Sequence, residues 1–179
     1  LLLLGGFLAV VGLAKALSIA GVLADIDGAD AESFRNGQIT LLVWGAPLLG
    51  LAAAAVHWSP KLSGRPLGGA TLIALMLVAG VVLMSAPSYI AGFGGDSDTA
   101  VVGSVGAALT AAGLLMMLGG LARPATAGPG DPYGGLTLEW STASPPPPHN
   151  LHELPEIDSP YPLVDAGQVQ AGAERDNNA

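Results

Sequence analysis

Polar residues arrive in short bursts along this chain, and the stretches between them are apolar for twenty residues or more. Leu1 to Ala24 holds a single charge, Lys15, and Gln38 to His57 holds none apart from a possible charge on His57. Leu67 to Gly92 and Ala100 to Ala122 hold none at all. A helix needs roughly 20 apolar residues to cross the hydrocarbon core. Uncharged runs of this length exceed buried strands and ordinary core helices. The pattern predicts an all-α integral membrane helical bundle of about four transmembrane helices, over about 1–24, 38–57, 67–92 and 100–122.

Each span contains glycine or proline. A bilayer tolerates both, because neighbouring helices re-satisfy the freed backbone groups. Pro47 and Pro87 should kink the second and third spans. Small residues recur every fourth position, at Ala46, Gly50 and Ala54 and again at Gly103, Ala107 and Ala111, a spacing that permits close helix approach. In a chain this rich in Ala and Gly, such spacings also arise by chance.

The polar bursts read as loops, and their charges give an orientation. Asp25 to Gly37 carries Asp25, Asp27, Asp30 and Glu32 against Arg35, whereas Trp58 to Pro66 carries Lys61 and Arg65 without an acid. Phe93 to Thr99 carries Asp96 and Asp98, and Arg123 follows the last span. Lys and Arg hold short loops in the cytoplasm. The second loop and the tail should therefore be cytoplasmic and the other two loops external.

Beyond Arg123 the character changes. Residues 124–165 read as an extended cytoplasmic tail, beginning with a Pro/Gly/Ala linker and including four consecutive prolines, Pro145 to Pro148, which favour polyproline II. Trp140 and Leu138 are its expected anchors. Residues 166–179 have too little apolar content to fold alone and should be disordered. The chain opens inside an apolar run without a methionine, and reads as the back part of a longer protein.

Composition sharpens this reading. Only 11% of residues are charged and 51% are apolar, against about 25% charged in soluble domains. The net charge of −8 and the lack of a basic patch exclude nucleic acid as a partner. With no cysteine, disulfides and thiolate chemistry are absent. No phosphate-binding loop, Ser-His-Asp arrangement or paired metal-binding helix motif is present.

Single residues remain to be weighed. Lys15 lies near the middle of the first span, where a charge costs at least about 2.5–3.5 kcal/mol. It is either a proton-path or ion-pair residue, or a side chain that snorkels or faces a polar interior. His57, at the end of the second span, suits an interfacial place near a helix C-terminus. His149 and His152, beside Glu153, read as solvated tail residues. Trp44, Trp58 and Tyr89 read as interface or packing aromatics.

The tail string DPYGGLTLEWSTASPPPPHNLHEL, Asp131 to Leu154, resembles the C-terminal tail of subunit I of haem-copper (aa3-type) cytochrome c oxidases, above all the actinobacterial form. The run His57-Trp58-Ser59-Pro60-Lys61-Leu62-Ser63-Gly64-Arg65-Pro66-Leu67 is similar to the short cytoplasmic loop after that family's tenth helix. The four spans then resemble its ninth to twelfth helices. The resemblance implies a multi-pass protein of the cell inner (cytoplasmic) membrane, with the other oxidase subunits and the upstream part of subunit I as partners. The activity it implies is electron transfer from cytochrome c to oxygen coupled to proton pumping, with haem and copper as cofactors.

The chain departs from the family where haem is held. The tenth helix of the family begins with a His-x-His pair, and the equivalent positions here are Gln38 and Thr40, neither of which is a good iron ligand. A His-Asp pair tied to a structural metal is replaced by Asp30-Ala31-Glu32. Two adjacent arginines that pair with haem propionates give way to Gly94-Gly95-Asp96-Ser97-Asp98, reversing the sign, and Pro87-Ser88-Tyr89 stands where the family has Pro-Met-His. The expectation is a divergent subunit-I-like component with no catalytic, cofactor or metal residue in this segment. The alternative is a non-catalytic paralogue that serves as a structural or assembly partner in the respiratory complex.

Overall fold

The computed structural model describes residues 2–95, 99–128, 133 and 137–148. Among them the regular structure is helical: α1 (Leu2–Leu23), α2 (Gly28–Gln38), a π-helical segment (Ile39–Gly45), α3 (Ala46–Ser63), α4 (Ala70–Gly92), α5 (Ala100–Leu121) and a 3-10 turn (Leu138–Ser141). Among the described residues, four continuous helices are long and apolar enough to cross a membrane: Leu2–Leu23, Asp30–Ser63, Ala70–Gly92 and Ala100–Leu121. The protein is an all-α, multi-pass membrane protein, and its surroundings are a lipid bilayer. The chain divides into two compact units, residues 1–55 with 68–120, and residues 56–67 with 121–179.

In the first unit Val10, Ala14, Leu41, Leu49, Ala52, Ile73, Leu77 and Val81 are fully enclosed. Leu8, Ile19, Leu51, Leu72, Val101 and Leu115 face outward. Outward-facing leucines on a helix of spanning length are what a hydrocarbon solvent requires, since lipid is as apolar as the core.

The burst from Asp25 to Gly37, expected to be a loop, is mostly the helix α2. Its sequence is polar, so hydropathy misses it. What holds it is one aromatic residue. A β-carbon on Gly21 would lie 2.8 Å from the Phe34 ring, and one on Gly92 would lie 2.7 Å from Phe34 itself. Phe34 thus fills a notch left by two missing side chains on α1 and α4. Its ring also meets Tyr89 and Phe93 edge-on, at centroid distances of 5.2 and 5.4 Å.

Both helix ends beside this notch close in the same way. Ile26 N–H donates to Gly21 O and Asp25 N–H to Val22 O, with Asp25 at φ 51°. Gly95 N–H donates to Ile90 O and Gly94 N–H to Ala91 O, with Gly94 at φ 74°. This paired pattern around a left-handed residue satisfies the last carbonyls of a helix, and aspartate is among the few non-glycine residues that enter it readily.

The prolines do not end the helices. The irregularity at Pro47 takes the form of the π segment just before it, where Ala46 N–H reaches back to Leu41 O. Pro60 lies inside α3, beyond the expected span end at His57, so Trp58 to Ser63 is helix rather than loop. A proline cannot donate to the carbonyl four residues earlier, here that of Val56. The Ser59 hydroxyl donates to it instead, at 2.9 Å.

The small-residue stripes coincide with the packed faces only at Ala46 and Gly103. On α5 the close approach is made by Gly106, Thr110 and Gly113, while Ala107 and Ala111 are exposed; Gly103 does border Pro87. In the first half of α3 the enclosed positions are Ala46, Leu49 and Ala52, whereas Gly50 has open space around it and Ala54 is exposed. A four-residue spacing marks a possible face without saying which side the neighbours occupy.

Candidate functional site

The densest polar and aromatic arrangement lies in the second unit, where the end of α3 meets the tail. Trp140 is 4% exposed. Its ring stacks on Trp58 at 6.0 Å and 17° and takes His57 edge-on at 5.3 Å. Tyr133 lies nearly parallel to His57 at 6.0 Å and edge-on to Trp140 at 6.2 Å. Offset stacks and edge-to-face pairs are the favoured aromatic geometries. Trp58 and His57 are adjacent in sequence, yet both reach the tail because Trp140 is large enough to touch each.

Beside the rings, Lys61 is 4% exposed, and its ammonium donates to Thr142 O at 2.6 Å, Thr142 Oγ1 at 2.5 Å and Ala143 O at 3.2 Å. A buried ammonium has three protons to satisfy, and here three oxygens of the tail receive them. Ser59, 1% exposed, accepts from Leu67 N–H at 3.0 Å, and so ties the end of α3 to the chain after the turn. Arg65 Nη2 donates to Pro124 O at 2.9 Å, Thr126 N–H to Ser63 O and Gly128 N–H to Ser144 O. Gly64, at φ 72°, lies against the backbones of Thr126 and Gly128 so closely that no β-carbon fits. The arrangement is a clamp made largely of backbone carbonyls, one lysine and stacked rings.

Lys61→Met keeps the stem and removes the donor. Hydrogen bonds from a charged group contribute about 1.5–3 kcal/mol. The tail should therefore loosen by about that amount, seen as faster hydrogen exchange at Trp140 and Gly128.

Trp140 is the anchor the sequence pointed to, and Leu138 is only half-buried. His57 joins the ring cluster and is exposed. His149, His152, Glu153, Asp96 and Asp98 lie outside the described residues, as do residues 149–179. The roles of Lys61, Ser59 and Phe34 were not foreseen.

Gln38 and Thr40 stand at the join of α2 and the π segment. The Gln38 side-chain amide donates to Ala14 O at 3.1 Å, and the same carbonyl accepts from Ser18 Oγ at 2.9 Å. Gln38 is thus spent on bridging α2 to α1. The Tyr89 hydroxyl is buried close by without a hydrogen-bond partner among the described residues. A carboxamide used as a bridge and a threonine do not fit axial ligation of haem, which takes imidazole, thiolate, thioether or phenolate held toward the iron. Among the described residues, no three His, Asp or Glu side chains converge on one point. A groove of about 480 Å³ lies at the α1–α2 corner, bordered by Ser18, Val22, Asp25 and Phe34, and Asp25 is the ionisable group among the described residues that line it.

No family model matches the chain, and no solved structure matches it either.

Proposed function

We propose that the protein is a subunit-I-like membrane component of a haem-copper terminal oxidase complex, in which these residues supply helix packing and a docked cytoplasmic tail. One observation supports this above others. The two stretches that resemble the oxidase, the end of α3 around Lys61 and the tail around Trp140, fold together as one compact unit through the Trp58–Trp140 stack and the Lys61–Thr142 bonds. The residues that carry the resemblance are thus the residues that carry the contact. On this reading the clamp lies on the cytoplasmic face of a prokaryotic inner membrane, a placement supported by Lys61 and Arg65 without a neighbouring acid.

A second reading is favoured by Gln38. Its amide closes a helix–helix bond where the family places a haem ligand, which fits a non-catalytic paralogue acting as a scaffold within the complex. Purification from native membranes separates the two. A haem a band in the reduced-minus-oxidised spectrum, with oxidase subunits co-purifying, supports the catalytic component. Oxidase subunits without that band leave the scaffold. Absence of both removes the oxidase reading altogether.

A further inference from the structure

Lys15 is exposed on α1, and the structure gives it no ion pair or hydrogen bond among the described residues. The exposed side of α1 around it is apolar: Leu8, Gly12, Ala16 and Ile19 share the same broad face, while Leu3, Val10, Ala14 and Gly21 point into the unit. A β-carbon on Gly5 or Gly12 would touch nothing within 4 Å, so the face is shallow as well as open. An ammonium on such a face meets hydrocarbon.

Escape to the aqueous boundary is poorly served. The nearer end of α1, Leu23, lies about 12 Å further along the axis. Side chains on a helix tilt toward its N-terminus, which carries the Lys15 stem away from that end. A lipid phosphate at the boundary is out of line for the same reason.

A carboxylate at the same depth would satisfy the charge. Within the four spanning helices the only carboxylates are Asp30 and Glu32. The bond from Gln38 to Ala14 sets the last turn of α2 at the level of Lys15, and Glu32 is displaced from that turn by about 9 Å. Among the described residues, a second copy of this chain therefore brings no carboxylate to the required depth. Only a helix can present one there, because exposed loop backbone is not stable in hydrocarbon.

We infer that the Lys15 face of α1 docks a partner transmembrane helix, supplied from outside these 179 residues, whose aspartate or glutamate pairs with Lys15 inside the membrane. Intramembrane charges are found paired and facing protein, and the shallow surface at Gly12 and Ala16 lets a helix approach closely. This inference needs only the membrane assignment and stands apart from the oxidase reading.

The test uses the protein in its native membrane. A photo-crosslinking amino acid replaces Ile19, one turn from Lys15, and the crosslinked peptide is sequenced by mass spectrometry. The expected product is a transmembrane segment with Asp or Glu within a turn of the crosslink. Lys15→Met should then lower co-purification of that partner about tenfold, the scale of one polar helix–helix contact, whereas Lys15→Arg should retain it. Methionine enters a bilayer more readily than lysine, so this loss is not a failure of insertion. Exchanging the two charges, with Lys15→Asp and lysine at the captured carboxylate, should restore association. Crosslinks to lipid alone, to a second copy, or to a helix without a carboxylate overturn the inference, as does a complex unchanged by Lys15→Met.

Discussion

Trp140→Ala should free the tail from the end of α3. The ring is almost wholly enclosed and touches Trp58, His57 and Tyr133. Removing a buried tryptophan costs about 3–5 kcal/mol. Among the described residues, the other links include the Lys61 bonds, the Arg65–Pro124 bond and two backbone bridges. Each contributes a smaller amount than the ring. Endoproteinase Glu-C reports the outcome directly, because Glu139 is half-buried beside the ring. Cleavage after Glu139 should accelerate markedly in the variant. Trp58→Ala should do the same, and the double variant should add little, because the two rings form one stack. Cleavage at the native rate in Trp140→Ala would show that the stack does not hold the tail.

Gly106→Leu should separate α4 from α5. A β-carbon at Gly106 would lie 2.7 Å from Gly80 O and closer still to Met84 N, both of them backbone atoms. Gly80 is in the reciprocal position, since its β-carbon would meet Thr110. The Thr110 hydroxyl donates to Gly106 O within α5, so its proton is already used where its oxygen faces Gly80 of α4. Side chains move aside for an added atom, whereas helix backbones at a crossing do not. Overpacking costs about 1–3 kcal/mol and more where nothing can yield. Ala107→Leu is the matched control, one residue away on an exposed face, and should be nearly silent. The measurement is thermal unfolding of the detergent-solubilised protein followed by circular dichroism. Equal midpoints for the two variants would refute the crossing geometry.

The four spans were legible because a bilayer demands long uncharged helices and little else, so hydropathy alone finds them. Their limits were less legible. The second helix begins at Gly28 and runs, with a π turn, to Ser63. Its first third is polar and its last turns are basic, so both ends resemble loops by composition. The deciding contacts, Phe34 against two glycines and Ser59 against the carbonyl orphaned by Pro60, join residues that no periodicity connects. The packing faces of α3 and α5 were misplaced for a related reason. In helices made mostly of Ala, Gly and Leu, several stripes look alike, and only the neighbours choose among them. Trp140 was legible because a lone tryptophan in a tail of prolines and small residues has few other uses. Lys61 was not, because a basic residue near a span end reads first as an orientation signal.

The bond between Lys61 and Thr142 spans 81 residues of chain, and that separation has a consequence for biogenesis. The docking surface is synthesised long before the tail that occupies it. In between, the ribosome must deliver both α4 and α5, and the chain must cross the bilayer twice before the tail returns to the side it left. Failure of either crossing puts Trp140 on the wrong side of the membrane, where no clamp can form. Closure of the clamp is therefore a late event, and a closed clamp certifies that the two preceding insertions succeeded. A quality-control protease that recognises a loose, proline-rich tail would in this way be reading the topology of the membrane helices without touching them.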